Sequence, residues 1–411
     1  ADLEEKGHTF KTTSDTEILV HLYEEKGIEM FDKLNGIFAF AILDKNRNRI
    51  ILARDHFGVK PLFYYERGGK LVFGSEAKAI LTHPDVPRKR NDHATHLLAN
   101  LRYVQSEQTL FKDIHHVPPG SYLVHENGKS KVSRYYEFNP EVQDISFEDA
   151  KDGIQARLKE AVRRQLISDV PIGVYLSGGI DSSSLVAMMS ELGVDDIRTF
   201  TLGFNEPTDE FDSAKMIADQ FSTNHQTLSL DLDPMKHFPN VIWHSEVPKI
   251  NLLQGHMMSQ FVSKHVKVVL GGLGGDELFA GYDIHGIFHS LRSLSGTIPK
   301  TVEKMIGTPL GKLMSSLQRK SGIMKWDEYR RGLQTVLASG NVLRQLLILR
   351  NVWDHEESVL KQIYTEDFRQ KELPKVESEF SELANSFSDQ SAMDQVFGIE
   401  FQTKMVNDYL W

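Results

Sequence analysis

Two rhythms of hydrophobic and polar positions divide the chain. Up to about residue 138, apolar residues come in short runs separated by turn formers. Phe38-Ala39-Phe40-Ala41-Ile42-Leu43 is followed by Asp44-Lys45-Asn46-Arg47-Asn48 and then Arg49-Ile50-Ile51-Leu52-Ala53, the pattern of a β-hairpin. A second hairpin is predicted around Gly68-Gly69, between Pro61-Leu62-Phe63-Tyr64-Tyr65 and Leu71-Val72-Phe73. A third turn falls at Asn127-Gly128. Residues 1–138 therefore read as a largely antiparallel α+β domain. Residues 139–147 form a connector, and Ser146 with Asp149 marks the start of a helix running to about residue 166.

The rhythm changes from Val170 onward. Apolar runs at 172–176, 198–204, 226–230 and 266–270 alternate with helical periodicity at 180–192 and 212–221. Alternation of this kind predicts a parallel sheet, and we assign it to residues 139–284. Residues 285–411 are patterned mostly as helix, with breaks expected at Pro299, Pro309 and Gly340. They are assigned as a helical extension of the parallel-sheet domain.

Composition removes several classes of function. With 40% hydrophobic and 25% charged residues, a chain of 411 residues is an ordinary globular protein with room for two or three domains, not a disordered or collagen-like one. The net charge of −10 argues against duplex nucleic acid as a partner. A small anionic nucleotide in a local pocket is still compatible. There is no cysteine, which excludes disulfides, a thiolate nucleophile and Cys-ligated zinc. No apolar run approaches the ~18 residues of a membrane span, and Asp2-Leu3-Glu4-Glu5-Lys6 is too charged for a signal peptide core. A cytoplasmic protein with no membrane partner is expected.

Two glycine-rich segments carry the chemistry. Ser177-Gly178-Gly179-Ile180-Asp181-Ser182-Ser183 follows an expected strand and opens an expected helix. Glycines admit close backbone approach, serines offer hydroxyls, and a helix start offers unpaired N–H groups. Together they suit a pyrophosphate. Asp181 fits an anion cradle only if a cation such as Mg²⁺ intervenes. The segment is not a Walker loop, since no Gly-Lys-Ser/Thr follows. It resembles the pyrophosphatase-type loop of ligases that cleave ATP to AMP and pyrophosphate. The second segment is Gly271-Gly272-Leu273-Gly274-Gly275-Asp276-Glu277-Leu278-Phe279. Asp276 is a candidate second carboxylate on the metal, and Glu277 joins Asp181 and Asp276 as a candidate catalytic acid. Gly203, at the end of the 198–204 run, offers room for a flat purine. Arg54-Asp55-His56-Phe57-Gly58-Val59-Lys60-Pro61-Leu62 reads as turn chemistry, and Ser75-Glu76-Ala77-Lys78-Ala79 as a capped helix. His83, His93, His96, His115 and His116 lack carboxylates at ligand spacing and are read as structural.

Taken together, these segments resemble the glutamine-dependent asparagine synthetase family. The rear half carries Ser-Gly-Gly-x-Asp-Ser-Ser at 177–183 and Asp-Glu-Leu-Phe-x-Gly-Tyr at 276–282. The front half is similar to a class II glutaminase domain in Ser14-Asp15-Thr16-Glu17, Leu34-Asn35-Gly36-Ile37-Phe38-Ala39-Phe40, the 54–62 segment and Phe73-Gly74-Ser75-Glu76-Ala77-Lys78. The resemblance implies an Ntn-type antiparallel β sandwich followed by an adenine nucleotide α-hydrolase-like synthetase domain. It implies an ATP-dependent ligase that adenylates the aspartate side chain and joins it to ammonia or a glutamine nitrogen, releasing AMP and pyrophosphate. By position, Tyr175, Leu176, Leu202, Gly203, Gly271 and Gly272 would line the ATP site. Ser177, Gly178, Gly179, Asp181 and Ser182 would hold pyrophosphate, Asp181 and Asp276 Mg²⁺, and Asp15 the glutamine amino group. A homodimer is left open.

The chain departs from that family in three ways. The family's amino-terminal cysteine nucleophile has no counterpart, and the domain is entered near Gly7-His8-Thr9-Phe10. Thiolate hydrolysis of glutamine is therefore not expected of these residues, and a partial chain is favoured over a decayed domain. The family's trailing lysine-bearing helix has no counterpart either. Leu273 stands where those synthetases carry an acidic residue, and Glu246-Val247-Pro248-Lys249-Ile250-Asn251 departs from their pattern near the acceptor. An amidotransferase or amide-bond cyclase acting on another carboxylate, or a non-catalytic nucleotide-binding scaffold, are the alternatives.

Overall fold

The short apolar runs of the front region become seven antiparallel strands in the computed structural model. They are β1 (Ala39–Asp44), β2 (Arg49–Arg54), β3 (Phe63–Arg67), β4 (Lys70–Gly74), β5 (Ile114–His116), β6 (Ser121–Glu126) and β7 (Lys129–Arg134). The structure describes residues 2–294 and 331–409, apart from 106, 205, 208, 231, 232, 250, 333, 336, 337, 339, 353–356 and 372. The breaks expected at Pro299 and Pro309, and Ile250 of the 246–251 segment, lie outside the described residues.

These strands form one sheet in the order β1-β2-β6-β7 and a second in the order β4-β3-β5. Alternation along β2 explains how the layers stack. Ile51 and Ala53 face Leu22 of helix Asp15–Lys26, with Met30 and Phe31 of the following 3₁₀ segment. Leu52 faces the other way, onto Leu62, Val117 and Leu123. β2 is therefore covered on both sides. The β6–β7 turn uses Asn127 and Gly128 at φ 52° and 72°, the left-handed pair that a two-residue hairpin loop requires. The helix expected after Ser75 is only Ala77–Ile80. Glu76, not Ser75, holds its N-cap position, and no side chain closes it.

The chain divides into two compact units, Ala1–Asn139 with Tyr282–Trp411, and Pro140–Gly281. The sequence pattern attaches 285–411 to the parallel-sheet region, whereas in space its described helices complete the core of the first unit. The reason is an apolar face that local periodicity cannot assign to a partner. Leu97 and Leu101 of helix Asp92–Leu101, with Tyr103, pack with Phe288, Leu343, Leu346, Phe380, Phe387 and Ile399. Gly340 does mark a break: it lies in a turn just before helix Val342–Leu349, which is capped by Asn341.

In the second unit, helix Phe147–Gln165 starts at Ser146, whose hydroxyl accepts from Asp149 N. The strands that follow are β8 (Ile172–Tyr175), β9 (Arg198–Gly203), β10 (Asn224–Ser229) and β11 (Val268–Leu270), all parallel, in the order β10-β9-β8-β11. Val174 and Leu176 pack on Val186 and Met189 of helix Ile180–Glu191. Phe200 packs on the other face with Val262 and Val266. The chain moves from β8 outward to β9 and β10, then returns to the far side of β8 for β11. The strand order thus reverses between β8 and β11. Among the described residues no helix is long and apolar enough to cross a membrane.

Candidate functional site

Open parallel sheets take their ligands outside the carboxyl ends of the strands, where the order reverses. Here that place is flanked by the loops after β8 and β11, the two glycine-rich segments. They touch. A Cβ on Gly272 would lie 2.9 Å from both Asp181 Cβ and Ser182 N, and one on Gly275 would collide with the Asp181 carboxylate. Only glycine lets the second loop lie this close to the first.

The first loop is held in shape by its own serines. Ser182 Oγ donates to Gly179 O at 3.2 Å and accepts from Ser177 N at 3.2 Å, and Ser177 Oγ accepts from Gly179 N at 3.2 Å. Gly178 has φ +79°, and a Cβ there would lie 2.6 Å from the carbonyl carbon of Ser213. Ser213 in turn donates its hydroxyl to Ser177 O at 3.2 Å. Nothing in the linear pattern points to Ser213. It arrives from helix Phe211–Gln220, 36 residues away.

Helix Ile180–Glu191 begins at Gly179 with no side chain capping it, so its first-turn amides are not taken by a local side chain. Helices Phe211–Gln220 and Leu252–Val262 also start without such a cap. An open helix start is therefore not a site by itself. What distinguishes this one is what converges on it. The Asp181 carboxyl is pushed above its ordinary value, first by burial and then by the charges of Asp276 and Glu277. Glu277 is buried. Ser183 Oγ is buried with no hydrogen-bond partner among the described residues. Three carboxylates drawn together beside open amides suit a cation with a polyanion better than either alone.

The other sequence-derived positions fall as follows. Tyr175 and Leu176 end β8, and Tyr175 Cδ2 is the nearest atom to a Cβ built on Gly271, at 3.9 Å. Leu202 and Gly203 end β9. Gly203 is not open on its Cβ side, however. The Phe211 ring and the Asp209 carboxylate fill that space, so on that side the glycine admits close loop packing. Leu273 is exposed between Gly272 and Gly274. In the first unit, Asp15 is the exposed first residue of helix Asp15–Lys26, behind the N-cap Ser14.

Comparison with known proteins assigns the family. A family model described as asparagine synthase matches residues 153–410. The chain belongs to the asparagine synthase family. A second model, a glutamine amidotransferase domain, matches residues 1–136, so the two architectures stand in tandem. Glutamine-hydrolysing asparagine synthetase 3 of Bacillus subtilis is 31% identical over 382 residues, 86% of this chain and 61% of that protein. Glutamine-hydrolysing asparagine synthetase 1 of the same organism is 30% identical over 420 residues, 100% of this chain and 62% of its own length. The amidase chyE of Penicillium rubens is 33% identical over 299 residues, 67% of this chain and 44% of that protein. The chain thus spans about three fifths of the length of the synthetases it matches. The asparagine synthase match runs through both compact units, because the helices after Tyr282 belong to the match but pack in the first unit.

Proposed function

We propose that this chain is an ATP-dependent, AMP-forming carbon–nitrogen ligase that makes asparagine from aspartate, ATP and ammonia. The observation that supports this best is the meeting of the 177–183 and 271–277 loops at the reversal of strand order, where burial and then the charges of Asp276 and Glu277 raise the pKa of Asp181. In this reading the second unit is an adenine nucleotide α-hydrolase-like domain and the front of the first an Ntn-type sandwich. The β- and γ-phosphates lie on the open amides of helix Ile180–Glu191, with Ser177, Ser182 and Ser183 around them. Mg²⁺ held by Asp181 and Asp276 would supply charge neutralisation for the departing pyrophosphate. The chain's own residues do the rest. The loop amides stabilise the charge that develops as the α-phosphorus passes to the carboxylate, and the closed glycine contacts hold the two loops in register. The 411 residues contain no thiol, so the reaction proposed for them takes ammonia as the nitrogen source.

A second reading keeps the chemistry and changes the acceptor. It is favoured by Leu273, an exposed apolar side chain inside the second loop where an acid would otherwise face the incoming amine. One assay separates the readings. Pyrophosphate release is measured with ATP, magnesium and ammonium against a panel of carboxylates. Release dependent on aspartate supports asparagine synthesis. Release with another acid alone moves the acceptor, and ATP binding without release for any acid leaves a nucleotide-binding scaffold.

A further inference from the structure

The first helix of the front unit carries a side-chain cluster that the nucleotide chemistry does not use. His21 and Glu24 are one turn apart on helix Asp15–Lys26, and His8 reaches them from the segment before it. His8 Nδ1 and His21 Nδ1 are 3.0 Å apart. Glu24 Oε2 lies 3.4 Å from His21 Nδ1 and 3.8 Å from His8 Nδ1. A point equidistant from the three atoms lies about 2.0 Å from each, the length of a zinc–imidazole or zinc–carboxylate bond.

Partners on the far sides of the rings bear on what the near sides can hold. His8 Nε2 is 3.0 Å from Glu25 Oε1, and His21 Nε2 is 3.6 Å from Glu17 Oε1. A carboxylate behind each ring favours the tautomer with the N–H on Nε2, in which both Nδ1 lone pairs point at the same place. Metal-bound histidines are oriented by partners of this kind. In that tautomer two lone pairs 3.0 Å apart repel unless a positive centre lies between them, whereas a proton on one Nδ1 would make the pair a hydrogen bond. The carboxylates are themselves fixed. Glu17 accepts from the backbone N–H of Lys11 at 2.8 Å and of Thr12 at 2.7 Å, pinning the incoming segment to the helix, and Glu25 accepts from Lys6 Nζ at 2.8 Å. Both rings are mostly covered, with 15% and 17% of their side-chain surface exposed, whereas Glu24 is open to solvent at 60%. That leaves a side from which water can complete a fourth position.

We propose that His8, His21 and Glu24 form a binding site for a divalent transition metal of the zinc class. The metal ties residues 8–12 to helix Asp15–Lys26. Spacing within the helix, His-x-x-Glu, was a signal available in the sequence. His8, thirteen residues earlier, was not.

The test uses zinc itself on the intact chain, freed of any affinity tag and stripped with chelator. Competition against a chromophoric chelator should show one tight equivalent. His8→Gln and His21→Gln should each weaken it by about 100-fold or more, and Glu25→Gln, which meets His8 only at Nε2, by about 10-fold. Cobalt in place of zinc should give the visible absorption of a four- or five-coordinate site. The chain has 17 histidines, so adventitious binding must be separated. Tight binding unchanged when His8→Gln and His21→Gln are combined overturns the proposal, as does failure of the stripped chain to hold zinc. If the variants do not fold, ring NMR signals of the unmutated chain decide. Zinc must move those of His8 and His21 at one equivalent, and movement only at other histidines overturns the site.

Discussion

Two turns leave the ends of central strands in this molecule, and they treat their polar atoms in opposite ways. After β2, Arg54 donates to the carbonyls of Lys60 at 2.8 Å, Val117 at 3.0 Å and Gly58 at 2.6 Å. Asp55 accepts from the amides of Phe57 at 3.2 Å, Val59 at 3.0 Å and Lys60 at 3.0 Å. Both residues are almost wholly buried, 4% and 2% exposed, and the turn has made its own bonds. After β8, the 177–183 loop is braced by serines but keeps an uncapped helix start, an unpartnered hydroxyl at Ser183 and an Asp181 that faces two other acids. Buried polar groups are ordinarily satisfied. A turn that satisfies itself is framework; the 177–183 turn, which is more exposed and keeps unpaired polar atoms, is the one proposed above to take a ligand.

The strongest way to break this contrast is Asp181→Asn. If the open turn is the site, aspartate-dependent pyrophosphate release should fall by about 10³-fold, near 4 kcal/mol of barrier. The urea midpoint should hold or rise, because a carboxylate crowded by Asp276 and Glu277 has been neutralised. Turnover within tenfold of the unmutated chain would remove the site from this loop.

The matching change in the closed turn is Arg54→Met. Burial lowers the Arg54 pKa to about 10, so it is charged at neutral pH and its three carbonyl partners depend on it. We expect a loss of about 3 kcal/mol in urea unfolding, since three carbonyls, two of them in buried contacts, lose their donor and the charge of Asp55 loses its opposite neighbour. ATP binding by the protein that stays folded should be unchanged. A small stability loss with a large loss of nucleotide binding would reverse the assignment of the two turns.

A third carboxylate sharpens the sign of the effect. Burial alone would push Glu400 up, but His285 Nε2 at 2.7 Å and the Arg350 guanidinium outweigh it and hold its pKa below the ordinary value of 4.5. A depressed carboxyl contributes stability above its unfolded pKa, and that contribution is lost as pH falls from about 4.5 through the folded value. Asp181, shifted upward, acts in the opposite direction. Urea midpoints measured from pH 7 to pH 3 should therefore converge for the unmutated chain and Glu400→Gln. A gap that stays constant over this range would show that Glu400 is not held ionised by its neighbours.

Much of this was legible from residues alone, for a physical reason. Strand–helix alternation, the Asn127-Gly128 turn and the placing of 177–183 and 271–277 after strands are local patterns, and local patterns survive in a linear reading. What could not be read depends on contacts between distant residues. Ser213 comes to Gly178 from another helix, Phe211 fills the space over Gly203, and Leu97 and Leu101 find Phe387 and Ile399 across nearly 300 residues. His8 and His21 each look ordinary until the loop folds back. The Arg54–Asp55 turn was visible as a turn, but its distinction from the 177–183 loop lies in counting partners, and partners belong to the fold.

The smallest expected effect is the most selective. Ser183→Ala removes a buried hydroxyl that bonds to nothing among the described residues. Deleting a paired buried hydroxyl costs stability, whereas deleting an unpaired one is nearly neutral, because its desolvation penalty goes with it. The urea midpoint should therefore move by no more than about 0.5 kcal/mol. If phosphate takes up that hydroxyl, the KM for ATP should rise about fivefold, the worth of one ordinary hydrogen bond near 1 kcal/mol. The control is Ser182→Ala, whose hydroxyl already bonds within the loop and should cost stability and binding together. Equal behaviour of the two alanines would mean that the spare hydroxyl at Ser183 is packing, and that openness in this turn does not extend past Asp181.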